Sequence, residues 1–295
     1  ISLVLIVFEL PHLTWGAEIS TTLGRPLYAY EWIFLMGVVV QLFFRVTLVT
    51  VSAVLASWVV GTLYFGVTDT YMYVDTTIPI AVFLGMNLLV TDPASSPKSN
   101  GGKILFGTLY GLAIFFMYDV LRDMGRPAVG DDPGLSVSWM DKLLFLPFLN
   151  LLARPLDRLG RFLSVPSWRW DETRTNRLHV GLWVLAFFAL LPSLNAHPGR
   201  TVGFWEPRCE QGVDRACENI VILLQAACER DDAAACYFLG LRFEHGDGVP
   251  SDLARAGGAY TRACELEQGD GCRALGVLFT HGKGVAKNPQ VAVNL

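Results

Sequence analysis

The chain has 295 residues, of which 52% are hydrophobic and 17% charged, with a net charge of −4 and a mean hydropathy of +0.40. Soluble domains carry roughly 25% charged residues, so an ordinary soluble chain is disfavoured. The negative balance, with no basic cluster interleaved with aromatics, excludes a nucleic-acid partner.

Charge is sparse from Ile1 to Asp119 and dense over Arg154–Arg177 and after Glu206. This asymmetry predicts a polytopic membrane domain joined to a soluble one. The opening ISLVLIVF lacks the basic region and cleavage site of a signal peptide and is expected to be the remnant of a membrane helix. Both ends are expected to be cut, because the chain starts at Ile1 without Met and stops at Leu295 partway through a repeating unit.

Crossing ~30 Å of hydrocarbon takes about 20 apolar residues. Tyr28–Phe44 and Val46–Phe65 qualify, with Arg45 at a tight turn between them. Ile78–Val90 is short and contains Pro79, and Ile104–Tyr118 is marginal. Trp139–Ala153 is again short, with Pro147 inside, and Leu178–Leu194 is the last run. Arg45, Lys98, Lys103 and the arginines of Arg154–Arg177 alternate with the opposite connections without a segment out of phase. By the positive-inside rule, Thr91–Lys103 and Arg154–Arg177 are cytoplasmic and the tail after Leu194 is outside.

Between two apolar runs, Thr91-Asp92-Pro93 leads into a Ser/Pro/Gly-rich loop that restarts at Lys103. Such irregular backbone is tolerated in a membrane only where protein or a water cavity satisfies it. Asn100-Gly101-Gly102 would present free N–H groups at a helix start beside Lys103, an anion or phosphate site. The alternative is that Asp92 caps the loop and Lys103 faces lipid headgroups. The spacing is not that of a P-loop. Thr91, Asp92, Ser96, Gly102 and Lys103 are the candidate cofactor-binding residues. Asn87 and Thr91, four apart, either face a cofactor or ion or make a helix–helix hydrogen bond. His12, His179 and His197 are scattered near membrane boundaries, with no pattern of facing heme ligands. No catalytic or metal-ligating set is visible.

All six cysteines lie in the tail, in three pairs eight positions apart: Cys209/Cys217, Cys228/Cys236 and Cys264/Cys272. An even set confined to the exported part predicts disulfides, and the spacing does not suit structural zinc. Cys236–Val249 aligns with Cys272–Val285 at an offset of 36, which Cys228 and Cys264 also obey. This period is that of a two-helix repeat, with Leu239-Gly240 at a close helix approach and His245 and His281 at equivalent turns. Ala256, Ala259, Tyr260 and Ala263 are expected to face inward. Each cysteine pair is expected to tie one unit's second helix to the next unit's first.

The tail from Cys209 to Leu295 resembles the cysteine-rich, exported Sel-like subfamily of tetratricopeptide repeats, departing in a short first unit. The resemblance implies protein partners along a concave face. The Thr91-Asp92-Pro93, Ser96-Pro97 and Gly102-Lys103 string, with Phe106-Gly107…Gly111 and the later Leu149-Asn150…Arg154-Pro155-Leu156-Asp157-Arg158, resembles the Rnf complex D subunit and NqrB family. It covers roughly Tyr28–Leu163, the second half of such a domain. That family implies ion-pumping, flavin-containing electron-transfer complexes with other membrane subunits and lipid as partners. Its FMN is attached through a Ser-Gly-Ala-Thr-like motif, which this chain lacks, so FMN would belong elsewhere in the complex or upstream.

The expected architecture is all-α. A membrane domain spans 1–163, a basic cytoplasmic linker 164–177, an additional transmembrane helix 178–194, a second linker 195–208 and Sel-like repeats 209–295. The expected location is a bacterial inner membrane with the tail on the periplasmic side. The expected role is a subunit of a redox assembly that is not catalytic alone. The alternatives are a non-redox scaffold acting through its repeats and a transporter subunit. The scarcity of acidic residues in the spans counts against the last.

Overall fold

The computed structural model describes residues 28–74, 76–91, 96–124, 145–162 and 172–293, with the backbone alone for 81, 118–124, 145, 172 and 173. Every regular element among the described residues is helical, as the all-α expectation has it. The chain forms two compact units. One comprises Ile1–Val67 and Thr76–Ala196, the other Thr68–Asp75 and His197–Leu295.

In the first unit, α1 (Ala29–Phe44) and α2 (Thr47–Thr68) are separated by Arg45, whose left-handed backbone (φ 52°) ends α1 with its N–H on the Gln41 carbonyl. A non-glycine residue at positive φ is uncommon and here marks the tight turn expected at this charge. The short helix α3 (Ile80–Leu84) runs into a wide turn, Gly85–Leu89, in which the Val90 N–H reaches back five residues to Gly85. Then come α4 (Asn100–Met124), α5 (Phe145–Phe162) and α6 (Glu172–Asn195). Helix α5 continues through Pro155 to Phe162, beyond the apolar run ending at Ala153. Pro155 lies on an exposed face, where the carbonyl left without a helical partner is not trapped in the core. Residues 139–144 of that run lie outside the described residues.

The core of this unit is aromatic. Phe34 stacks on Phe187 at 3.8 Å and meets Trp183 edge-on, while Phe83, Phe106 and Tyr110 are fully buried. Polar groups also point inward. Tyr30 donates to the Ile78 carbonyl at 2.6 Å, Ser57 to the Gly111 carbonyl at 3.2 Å, and Asn176 to the Gln41 carbonyl at 3.1 Å. A Cβ on Gly107 or Gly111 would lie 2.2 or 2.4 Å from the Val49 or Ala53 carbonyl oxygen, so α4 and α2 touch backbone to backbone there. The outside carries Trp32, Leu35, Phe43, Leu63, Leu185 and Phe188, all exposed. Among the described residues two helical stretches are long and apolar enough to cross a membrane, Thr47–Thr68 and Arg174–Arg200; Ala29–Phe44 is apolar but shorter.

The second unit opens with a 3₁₀ turn, Pro198–Arg200, then α7 (Val202–Glu210), α8 (Ala216–Cys228), α9 (Ala233–His245), α10 (Leu253–Glu265), α11 (Gly269–His281) and α12 (Pro289–Val293). Asp232 caps α9 by accepting from the Ala235 N–H, and Asp252 caps α10 through the amides of Ala254 and Arg255. Backbone bonds recur 36 positions apart: Asp252 to Phe243 at 2.8 Å matches Asn288 to Phe279 at 2.9 Å. Ala256, Ala259, Tyr260 and Ala263 are buried, and a Cβ on Gly240 would lie 2.3 Å from the Tyr260 ring.

The cysteines pair as Cys209–Cys217, Cys228–Cys236 and Cys264–Cys272, with Cα–Cα distances of 4.7, 4.6 and 4.6 Å. They do not all play one role. The last two join the end of one helix to the start of the next (α8 to α9, α10 to α11) across the Asp231 and Glu267 turns, both at positive φ. Cys209–Cys217 instead spans the turn through Gly212-Val213, the counterpart of Gly248-Val249 and Gly284-Val285 at an offset of 36, with φ of 72°, 87° and 71° at the glycines. Cys209 thus stands in the register position of His245 and His281. The expectation that every pair joins helices in one and the same way is corrected for this first one, which bridges α7 and α8 across the Gly212-Val213 turn.

Candidate functional site

The loop ahead of α4 was the candidate anion site. Its geometry is set by α5, whose Asp157 comes from 58 positions away. Asp157 Oδ1 accepts the backbone N–H of Ser99 at 2.6 Å and that of Lys98 at 3.0 Å. Ser99 in turn is the N-cap of α4, its hydroxyl accepting from the Gly102 N–H at 3.1 Å and donating to the Asp157 carbonyl at 3.2 Å. Arg161, one turn on, reaches the other Asp157 oxygen at 3.3 Å. These contacts, led by the Ser99 amide and opposed by partial burial, hold the Asp157 carboxyl below the usual carboxylate range.

Backbone contact makes this close approach possible. A Cβ on Gly160 would lie 2.0 Å from the Gly102 nitrogen, and one on Gly101 2.3 Å from the Gly160 carbonyl oxygen. Gly101-Gly102 therefore serve a helix crossing. The negative charge suited to the start of α4 is supplied by the chain itself.

The candidate residues are placed as follows. Thr91 is buried and donates to the Asn87 carbonyl at 3.0 Å. Asn87 donates to the Phe83 carbonyl at 2.9 Å, so among the described residues both bond within their own segment rather than across to another helix. Asp92 lies outside the described residues. Ser96 is half-buried near the loop's end. The Gly102 N–H is taken by Ser99, and the Lys103 ammonium donates to the Arg45 carbonyl at 2.9 Å, where it caps the end of α1. Gly102 is brought against Asp157, Lys103 turns instead to the Arg45 carbonyl, and Thr91 shares neither contact. In the sequence Asp157 belongs to the Arg154-Pro155-Leu156-Asp157-Arg158 string without a role of its own. Its signal was that it is the one acid among Arg154, Arg158 and Arg161.

A second constellation went unread in the sequence. In the second unit Tyr71 packs edge-on against His197 at 4.1 Å and against Trp205 at 6.1 Å, with Phe204 at 5.4 Å. Trp205 is fully buried and donates to the Gly199 carbonyl at 2.7 Å. Arg208 lies 3.8 Å over the Phe204 ring and bonds both the carbonyl and the carboxylate of Asp69. These contacts fasten the Thr68–Asp75 segment to the start of the tail.

On the helical array Ile222, Phe238 and Val277 are exposed, on α8, α9 and α11, within the stretch expected to dock partners. His245 and His281 bond their own helices at Leu241 and Val277, both at 2.9 Å, as turn residues. Among the described residues no group of His, Cys, Asp and Glu could hold a metal ion. No protein-family model matches the chain, and no curated protein matches it.

Proposed function

We propose that this chain is an integral protein of a bacterial inner membrane that carries a disulfide-stapled array of Sel-like helical repeats to the periplasmic side and docks partner proteins through it. The observation that supports membrane residence is the distribution of side chains in the first unit. Gln41, Thr50, Ser57, Asn87 and Asn176 are buried, while Trp32, Phe43, Leu63, Leu185 and Phe188 face outward. Water disfavours such a surface, and monomeric soluble proteins rarely expose large contiguous apolar patches. Three disulfides confined to the tail support an oxidising compartment for it.

Of the readings open for the membrane unit, the scaffold is favoured over a cofactor-binding one. Of the donors offered to an anion ahead of α4, the Gly102 amide is engaged by Ser99 and the Lys103 ammonium by the Arg45 carbonyl, while Asp157 sets a negative charge on the Lys98 and Ser99 amides just before them. Membership of an Rnf- or NqrB-like redox assembly rests on the motif resemblance and makes this chain its non-catalytic docking subunit, with any flavin on another part of the complex. The deciding experiment is a reduced-minus-oxidised absorption spectrum of the mildly solubilised native assembly, paired with protease treatment of intact spheroplasts. Digestion of the tail from outside and a colourless preparation are expected for the scaffold. Co-purifying flavin, heme or iron–sulfur bands would replace it with the electron-transfer reading. A tail protected in spheroplasts and cut only in inverted vesicles would overturn the orientation.

A further inference from the structure

We propose that the exposed side of α5 binds anionic phospholipid headgroups at the cytoplasmic leaflet, an inference that rests on the membrane reading above. The helix divides into three faces at helical spacing. Leu149, Leu156 and Gly160 are buried in the first unit; Phe148, Leu152, Leu159 and Phe162 form an exposed apolar stripe; Arg154, Arg158 and Arg161 form an exposed cationic stripe beside it. Phe162 and Leu159 are 88% and 52% exposed.

An apolar stripe flanked by arginines is the pattern of a helix lying in the bilayer interface, with its rings among the acyl chains and its guanidinium groups at headgroup level. Charge decides the occupant. The one carboxylate on α5, Asp157, is turned to the Lys98 and Ser99 amides, and Arg161 folds back to it. Arg154 and Arg158 therefore present cationic donors on a face with no acidic side chain of its own helix. A phosphodiester matches the guanidinium fork, which binds planar oxyanions through two parallel hydrogen bonds.

The test uses the full chain in nanodiscs of equal phosphatidylcholine and phosphatidylglycerol, with the lipids retained after release counted by native mass spectrometry. The wild type is expected to retain phosphatidylglycerol in excess. R154Q/R158Q, which leaves the Asp157–Arg161 pair intact, is expected to lower that preference by about fivefold for each arginine removed. R174Q/R177Q, an equal charge change on exposed positions of α6, is expected to lower it by distinctly less. A wild type retaining both lipids equally would overturn the proposal, as would an unchanged preference in R154Q/R158Q or an equal loss in both variants. A chain that an alkaline wash strips from membranes would overturn the membrane reading itself, whatever the lipid ratio.

Discussion

Asp157 accepts the Ser99 amide at 2.6 Å, and through this bond the start of α4 receives its negative charge from within the chain. A helix N-terminus attracts an anion through its unpaired N–H groups and its dipole. Here a carboxylate on α5 meets the turn just ahead of it, while Ser99 closes the first turn of α4. One residue thus ties two helices at their crossing and places a negative charge beside the loop that resembles a phosphate site.

Asp157→Asn is therefore expected to destabilise the first unit by about 1.5–3 kcal/mol, the range for hydrogen bonds to a charged group. The pH dependence has a definite sign. The folded carboxyl titrates below its unfolded value of about 3.9. Its stabilisation is therefore complete above that value and is lost as the pH falls through the lower folded one. Thermal unfolding in detergent should separate wild type and Asp157→Asn at pH 7 and bring them together in strong acid. Equal stabilities at neutral pH would mean the carboxylate contributes nothing.

The helices were legible because apolar runs and a 36-residue offset are local or periodic signals. Arg45 at its turn and Ala256, Ala259, Tyr260 and Ala263 on their buried face followed from spacing alone. Asp157 was not, because nothing local says which amide a lone acid among arginines will meet 58 positions away. The Tyr71–His197–Trp205 cluster was hidden for the same reason, since it joins a loop to a segment after the last apolar run. The role of Cys209–Cys217 was present in the sequence and misassigned. The eight-residue spacing equals that of the other pairs, but the offset of 36 sets Cys209 against His245 and Gly212-Val213 against Gly248-Val249.

The crossing at Gly160 gives a steric prediction. Its added methyl would meet the Gly102 nitrogen at 2.0 Å and the Gly101 carbon at 2.5 Å. Both are backbone atoms, which have no rotamer to move into. Gly160→Ala is expected to cost about 1–3 kcal/mol, as overpacking does. Gly181→Ala on α6 meets nothing within 4 Å and is expected to stabilise by about 0.5–1 kcal/mol through helix propensity. Paired melting curves test the contrast, and two variants shifting in the same direction would refute it.

The disulfides should separate by role. Each closes a loop of sequence separation 8, for which chain entropy gives about 2–3 kcal/mol. Cys264→Ser is expected to free the α10–α11 joint and expose Gln268 and its neighbours to protease while the first unit keeps its melting point. Cys209→Ser is expected to loosen only the α7–α8 hairpin. Hydrogen exchange resolved by segment would detect the difference. Identical exchange in wild type and Cys264→Ser would show that packing of Ala263 against Gly271 holds the joint without the bridge.

Trp205 should matter more than any ion pair near it. Its ring is fully buried and its N–H is used, so Trp205→Ala is expected to cost about 3–5 kcal/mol. It should release the Thr68–Asp75 segment, because Tyr71 loses a ring neighbour and Gly199 its bond. Arg208→Gln, which breaks the half-exposed contact with Asp69, is expected to cost no more than about 1 kcal/mol. Limited proteolysis after Tyr71 reads both. Rapid cleavage in Trp205→Ala with slow cleavage in Arg208→Gln would place the hold of this segment in ring packing, whereas the reverse order would place it in the Arg208–Asp69 pair.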